Sequence, residues 1–402
     1  MSVLLKPIEL NEKSKTADLI MQLEKIPLTR MYQASFKAAV RLHVYFTGRT
    51  HEMMLEFSKQ AQAIILKGAG KDQVLDGSSG FAVQSEILEA WGDTFNEWRT
   101  EFERVRAAAA SIPFGVMAVM HERLVMPEVE RQMSKVEEGA SSALRSAQRE
   151  WTEAVENGVF SPQLNVLLNA SSEHLYGDGL TLSARIWKMD RESRDGINAV
   201  LMKGIANSDS AWNIAKELEM FMGANADCPR WTSTRLYGRT KSDIASGDTT
   251  GLLSGDACDG SGVSYNALRL ARTEIQKIHA LATDKVMAAQ PWVKKEQVHL
   301  SAAHAGNDIC DDVTGGGEKS QGVYEVGTIE LPLHPNCLCY KTAVLMSEKE
   351  FTSQMRGWLD GSQPWAEMDA YEKSIGGDVS ASLMPAAIGL AVWLFGEDLD
   401  GD

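Results

Sequence analysis

A long region of helical periodicity near the N-terminus is the feature that most limits what this chain can fold into. Within it, Leu88, Trp91, Phe95 and Trp98 follow one another at three- and four-residue steps between charged residues. This spacing puts four large apolar side chains on one face of a helix, and that face must be buried against another element. Residues 1–160 therefore predict a helical N-terminal region in which the tryptophans belong to a core.

The middle of the chain continues the helical pattern. Residues 161–226 predict further helices, the last two joined by a short turn with Ser208 or Asp209 as the N-cap of the second. Pro113 and Pro127 have no amide hydrogen to donate, so we expect each of them to end or begin a helix and not to lie inside one. This part of the chain favours an extended, mainly helical arrangement.

The composition changes after the middle region. Residues 227–264 are rich in Gly, Ser, Thr and Asp and have no periodicity, which predicts a long exposed polar loop. Residues 265–346 open with the helical pattern "YNALRLARTEIQKIHALATDKVMAAQ" and then alternate short strand-like segments with Gly and Pro. Those segments are 296–302, 322–326, 328–333 and 339–345. Residues 347–376 begin with a capping box and predict a helical extension. The predicted fold class is therefore mainly α, with one small α+β domain, containing the Cys and His residues, towards the C-terminus.

The C-terminal segment 377–402 is apolar and ends in acidic residues. From Val379 to Phe395 it carries no charged residue, but seventeen helical residues rise only about 26 Å. That length is less than the roughly 30 Å of a bilayer's hydrocarbon core, and Pro385 is better placed as the first residue of a shorter helix. We expect an apolar anchor that packs against a partner or the protein's own core, with membrane contact possible through this segment only.

The chain as a whole is acidic. It has 55 acidic and 40 basic residues and a formal net charge of −15, and the basic residues are not clustered. Such a surface repels phosphate, so we expect no sequence-specific binding of nucleic acid. The start of the chain has no apolar run of the length of a secretion signal, and the five cysteines lack a regular disulfide spacing. We therefore expect reduced thiols in the cytosol, which makes clustered Cys and His candidates for a metal or catalytic site.

Three of the five cysteines fall in one short stretch, "HAGNDICDDVTGGGEKSQGVYEVGTIELPLHPNCLCY". In an extended C-x-C segment, the thiolates of Cys337 and Cys339 can face the same ion. Cys310 can add a third sulfur, and either His304 or His334 can add the fourth ligand. These are the ligand types of tetrahedral zinc, and a small domain with long loops gains folding energy from such an ion. The stretch predicts one structural zinc ion.

Other interpretations of the same residues stay open at this point. The cysteines can be buried as small apolar side chains or joined in a disulfide. Cys310 or Cys337 can be a nucleophile with His304 or His334 as its base, or the acids of "DICDD" can serve a hydrolytic metal. The sequence has no H-E-x-x-H helix, P-loop or G-x-S-x-G elbow. We therefore predict no catalytic residue.

The order of these motifs resembles the Mu F-like head-morphogenesis family of tailed bacteriophages. In that family a helix with an R-T-E run precedes an H…D-x-C element and a P-x-H-P-x-C-x-C ending. The resemblance covers about half of the chain, from Leu180 to Gly376, and its ending is the specific part. Leu338 stands where the family often has arginine. The matching residues here are Arg272, Thr273 and Glu274; His304, Asp308 and Cys310; and Pro332, His334, Pro335, Cys337 and Cys339.

The resemblance implies a structural role in a virus particle. The chain would be a minor head protein, made in the host cytoplasm and then located in the virion, inside the capsid or at the portal vertex. Its implied partners are the portal protein and the major capsid protein, with several copies around the vertex assisting head assembly, DNA packaging or ejection. Arg272 and Glu274 are expected to bind the neighbouring β-strands and not to do chemistry. The alternatives are a virion-associated hydrolase that uses the Cys/His cluster and a membrane-active protein ejected with the DNA.

Overall fold

The structure is a computed structural model, and it describes residues 26–69, 73–133, 161–223, 263–301, 304, 308–335 and 337–375. A single 3₁₀ turn, Leu28–Arg30, precedes the first long helix, and a π-helical turn, His121–Val125, follows the second. In chain order the other elements are α1 Met31–Gly68, α2 Gly77–Met120, α3 Met126–Met133, α4 Ser161–Glu173, α5 Leu182–Ala206, α6 Ala211–Met222, α7 Val263–Ala289, β1 Val293–His299, α8 Ile309–Thr314, β2 Val323–Tyr324, β3 Tyr340–Leu345, α9 Glu348–Leu359 and α10 Ala366–Ile375.

The predicted fold class is confirmed in its coarse form. The described residues are mostly helical, and their three strands form one small antiparallel sheet near the C-terminus. The strand order is β2-β1-β3, so β1 is central: Glu296 pairs with Tyr324 on one side and Ala343 on the other. The sheet packs beside α1 and α7, so the helices and the sheet share one structure.

The aromatic stripe forms the core of the helical region, as predicted. Trp91 and Trp98 have no exposed surface, Phe95 is buried, and Leu88 is partly buried against them. Each buried indole also keeps a hydrogen bond: Trp91 Nε1 donates to Asp190 at 2.8 Å, and Trp98 Nε1 donates to a threonine of α1 at 3.1 Å. The same apolar cluster continues through α5, α6 and α7 to α9 and α10, so one core runs from the first described helices to the last.

The prediction for Pro113 is wrong, and Pro127 starts no separate helix, because α2, the π-helical turn and α3 follow one another without a break. Pro113 lies inside α2 and is buried. One lost backbone hydrogen bond costs about 3 kcal/mol, but Ile112 and Phe114 beside it are also buried, and each such side chain contributes about 1.5–3 kcal/mol. Pro127 lies in the first turn of α3, directly after the π-helical turn, in which the Met126 amide bonds a carbonyl five residues earlier.

Two local predictions in the loops are also wrong. The N-cap of α6 is Ser210, whose hydroxyl accepts from the Asn213 amide at 3.3 Å. Ser208 has a positive φ of 55° and lies in the turn. Residues 328–333 are not a strand, because the Gly327 and Ile329 amides bond the carboxylate of Glu296 and not a neighbouring strand.

Several predicted segments fall outside the described residues. These are the helical stretch from residue 134 to 160, the polar loop from 227 to 262 and the C-terminal anchor at 377–402. The last two residues of the predicted loop, 263 and 264, begin α7. Among the described helices, none combines the length and the apolar character needed to cross a membrane.

Candidate metal centre

The predicted ligands meet in a small apolar cluster beside the main core. Cys310, Cys337 and Cys339 are buried there, with exposures of 0%, 2% and 1%, together with Val298 and Leu331. These residues come from β1, α8 and the segments on either side of β2, which are far apart in the sequence. We call the group formed by Cys310, Cys337, Cys339, His304 and His334 the thiol centre.

The short helix α8 fixes the position of Cys310. Asp308 is its N-cap, and the carboxylate accepts from the Cys310 amide at 2.7 Å. Asp311 completes a capping box, since its carboxylate accepts from the Asp308 amide at 2.9 Å. Thr314 donates back to the Cys310 carbonyl at 2.9 Å. The sequence "DICDDVT" therefore folds locally into a capped short helix that holds the Cys310 thiol in the buried cluster.

The C-x-C segment is held by contacts from two directions. The Cys337 amide donates to the His334 carbonyl at 3.1 Å, which links these two residues directly. From α7, the Gln276 side chain donates to the Cys339 carbonyl at 2.7 Å. The segment immediately precedes β3, which begins at Tyr340, and is not itself part of the strand. Both thiols are nevertheless turned into the protein.

The structure brings all five predicted ligands together. Cys310 Sγ lies 3.7 Å from Cys337 Sγ and 3.2 Å from His334 Nε2. These three residues form one group whose ligand atoms are all within 4.8 Å of one another, and His304, Cys310 and Cys339 form a second. Cys310 belongs to both groups. A Cys/His group that could hold a metal ion is thus present, as predicted.

Each histidine also contacts a carboxylate. His304 Nε2 lies 2.9 Å from Asp311 Oδ2, and His334 Nε2 lies 3.2 Å from Asp308 Oδ2. His334 Nδ1 lies 3.0 Å from the Pro335 carbonyl, so Nε2 is the ring nitrogen that faces Cys310 and is placed to bind a metal. The sequence suggested these acids only as ligands of a hydrolytic metal. The position of both acids within two residues of Cys310 was the sequence signal that they could also contact the histidines of the centre.

The three thiols influence one another's ionisation. The neighbouring Cys339 thiol, together with hydrogen bonds from the backbone of Cys339 and Leu333, lowers the pKa of Cys337 against the opposing effect of burial. The same thiol pair raises the pKa of Cys339, and burial raises the pKa of Cys310. One thiolate is therefore favoured next to two thiols, and a cation is needed before all three can ionise. Their burial is typical of metal ligands and unlike the exposed nucleophile of a hydrolase.

A buried charge network, which the sequence did not predict, supports the sheet beside the centre. The ammonium group of Lys341 on β3 lies 2.6 Å from Asp284 on α7 and 3.0 Å from Glu296 on β1. Burial raises the pKa of Asp284 to about 6, although Lys341 opposes that change. Because Glu296 also accepts the two loop amides described above, this network ties α7, β1, β3 and the loop before Leu331 to one another.

The predicted role of the R-T-E run requires correction. Glu274 accepts a hydrogen bond from the Tyr176 hydroxyl, which lies in the loop between α4 and α5. The Arg185 guanidinium and the Lys277 ammonium lie over the Tyr176 ring at 3.7 and 4.0 Å. Arg272 donates to the Leu268 carbonyl of its own helix at 3.3 Å. The contact of Glu274 therefore joins α7 to the helical region, and the hydrogen bond of Arg272 stays within α7.

Comparison of the chain with known proteins identified no similar protein. No protein-family model, no curated protein and no solved structure matches this chain. The function must be inferred from the thiol centre and from the motifs that form it.

Proposed function

We propose that the chain is a structural minor head protein of a tailed bacteriophage, of the Mu F-like type. One observation carries the proposal: the three motif segments of that resemblance, which are distant in sequence, lie in contact around Cys310. The H…D-x-C element and the H-P-N-C-x-C ending meet at 3.2 Å between Cys310 and His334. The helix of the R-T-E run reaches the same place through Gln276, two residues after Glu274.

The thiol centre would bind zinc as a structural ion. Cys310, Cys337 and His334 supply two sulfurs and a nitrogen at distances that small rotamer changes convert to coordination, and Cys339 and His304 lie beside them. Between β1 and β3 the only described regular elements are the six residues of α8 and the two of β2. A segment with so few backbone hydrogen bonds of its own gains stability from a metal that links its two ends.

The proposed partners are the portal protein and the adjacent major capsid protein. A net charge of −15 is compatible with binding to other proteins and does not favour wrapping of the genome. Several copies would surround the portal vertex inside the virion after synthesis in the host cytoplasm, and would assist assembly, packaging or ejection of DNA. The apolar segment 377–402 would anchor each copy to its partner, and is the part for which membrane contact stays an alternative.

The direct test is incorporation into heads. We expect the full-length protein to co-purify with the portal protein when both are expressed together, and particles that lack it to lose density at the portal vertex in electron microscopy. Deletion of residues 384–402 should leave the metal content unchanged and abolish incorporation. A full-length chain that neither binds portal nor adds density to particles would contradict the proposal. Truncated chains present in particles at normal copy number would contradict only the anchor.

A further inference from the structure

The two ligand groups of the thiol centre share a single atom, the sulfur of Cys310. One group adds Cys337 and His334, and the other adds Cys339 and His304. Among the described residues, no four of these ligands form a common group within 4.8 Å. The geometry is therefore that of two neighbouring three-ligand sites that meet at one sulfur.

This division is unlike the geometry around one tetrahedral ion. With Zn–S bonds of about 2.3 Å, the four ligand atoms of a single zinc lie within about 3.8 Å of one another. Around a single ion, the ligand atoms of Cys337 and Cys339 would therefore belong to one group with Cys310. In the structure they belong to two different groups. A sulfur that bridges two ions leaves the remaining ligands on opposite sides, and ions in such pairs are about 3.5–4 Å apart.

We propose that the thiol centre holds two metal ions bridged by the Cys310 thiolate. Cys337 and His334 bind the first ion, and Cys339 and His304 bind the second. Oxygen donors are available on the outer side: Asp308 Oδ2 lies 3.2 Å from His334 Nε2, while Asp311 Oδ2 lies 2.9 Å from His304 Nε2. His304, Asp308 and Asp311 also form a group within 4.8 Å. Each ion can thus gain a further ligand without a change of fold.

This inference rests on the proposal that the centre binds zinc. The number of ions per chain distinguishes a centre with one ion from a centre with two. Full-length protein would be measured by native mass spectrometry and elemental analysis in a background with Cys228→Ser and Cys258→Ser. We expect two zinc ions per chain, one in His304→Ala, and fewer than one in Cys310→Ser. His174→Ala is the matched control, because this exposed histidine lies outside the centre, and it should keep two.

A second measurement needs no substitution in the centre. Metal-free protein titrated with Co²⁺ should gain thiolate-to-cobalt absorbance up to two equivalents, whereas a single site would saturate at one. Two ions retained by Cys310→Ser would overturn the bridge. One ion per chain, with saturation at one equivalent, would overturn the pair and leave the single zinc site in place. The absence of bound metal with all thiols titratable would overturn both proposals.

Discussion

At the scale of single residues, buried charge decides how the small α+β domain is held together. Lys341 is a basic side chain with almost no exposed surface, and it compensates two acids from different elements. Glu296 is fully buried and accepts hydrogen bonds from Lys341 and from the Gly327 and Ile329 amides. Such a group is stable only while all its partners are present.

Replacing Lys341 with methionine should therefore destabilise the protein strongly. The substitution keeps an apolar chain of similar length but leaves Glu296 buried without its cation, which costs about 3–5 kcal/mol. Lys294→Met is the matched control, because Lys294 pairs with Glu350 at the exposed surface, where such a pair contributes about 0–1 kcal/mol. Free energies of unfolding from urea titration would measure both. Equal losses in the two variants would show that the network is not a source of stability.

At the scale of elements, the close packing of α5 against α6 depends on a glycine at the contact. Gly204 of α5 is buried, and a Cβ at this position would lie 2.5 Å from Cγ1 of Ile214 on α6. Ile214 is only 1% exposed and branched at Cβ, so it has little freedom to move away. Gly48 in α1 has no atom within 4 Å of the equivalent position.

The two glycines should respond in opposite directions to the same substitution. Gly204→Ala is expected to lower the free energy of unfolding by about 1–3 kcal/mol through overpacking. Gly48→Ala should raise it by about 0.5–1 kcal/mol, because alanine loses less backbone entropy in a helix. Thermal unfolding followed by circular dichroism would compare them. Stabilisation by both substitutions would show that α5 and α6 do not pack as closely as described.

The success of sequence-based prediction differed between local and distant features. The stripe through Trp91 and Trp98 was predictable because its period is a local property of the chain. Pro113 was not, since burial of the surrounding turn outweighs the local rule. The clustering of the five Cys and His residues was predictable from residue type, but the contact of Glu274 with Tyr176 and the network of Lys341 join distant segments and leave no local pattern. Residues 328–333 have a strand-like sequence, yet their amides are bound by a carboxylate from another strand.

At the scale of the whole molecule, the thiol centre and the main core are distinct clusters. The main core joins α1 and α2 to α10, whereas the centre has its own small set of apolar neighbours. Stability in proteins is commonly uneven between such units, and the unit with fewer apolar contacts opens first. The metal should therefore control the smaller unit and leave the larger one nearly unaffected.

Removal of metal should loosen one part of the chain selectively. In the presence of a chelator, we expect amide hydrogen exchange to increase by about tenfold or more between residues 299 and 340, where the described residues include little regular secondary structure. Exchange in α1 and α2 should change little. Cys337→Ser should reproduce the effect without chelator. Uniform acceleration over the whole chain would show that the two clusters unfold together.

Helix α1 is synthesised early, but two of its side chains contact residues that are synthesised much later. The ring of Phe36 stacks on Tyr340 at 4.2 Å between centroids, and the Tyr32 hydroxyl donates to Gln290 at 2.5 Å. These partners leave the ribosome long after the first helix, with a delay of about 15–60 s at typical rates of synthesis. An interrupted nascent chain therefore lacks the partners of Tyr32 and Phe36, although α2 covers much of the rest of α1. The start of α1 gains both partners only once the chain has been synthesised past Tyr340.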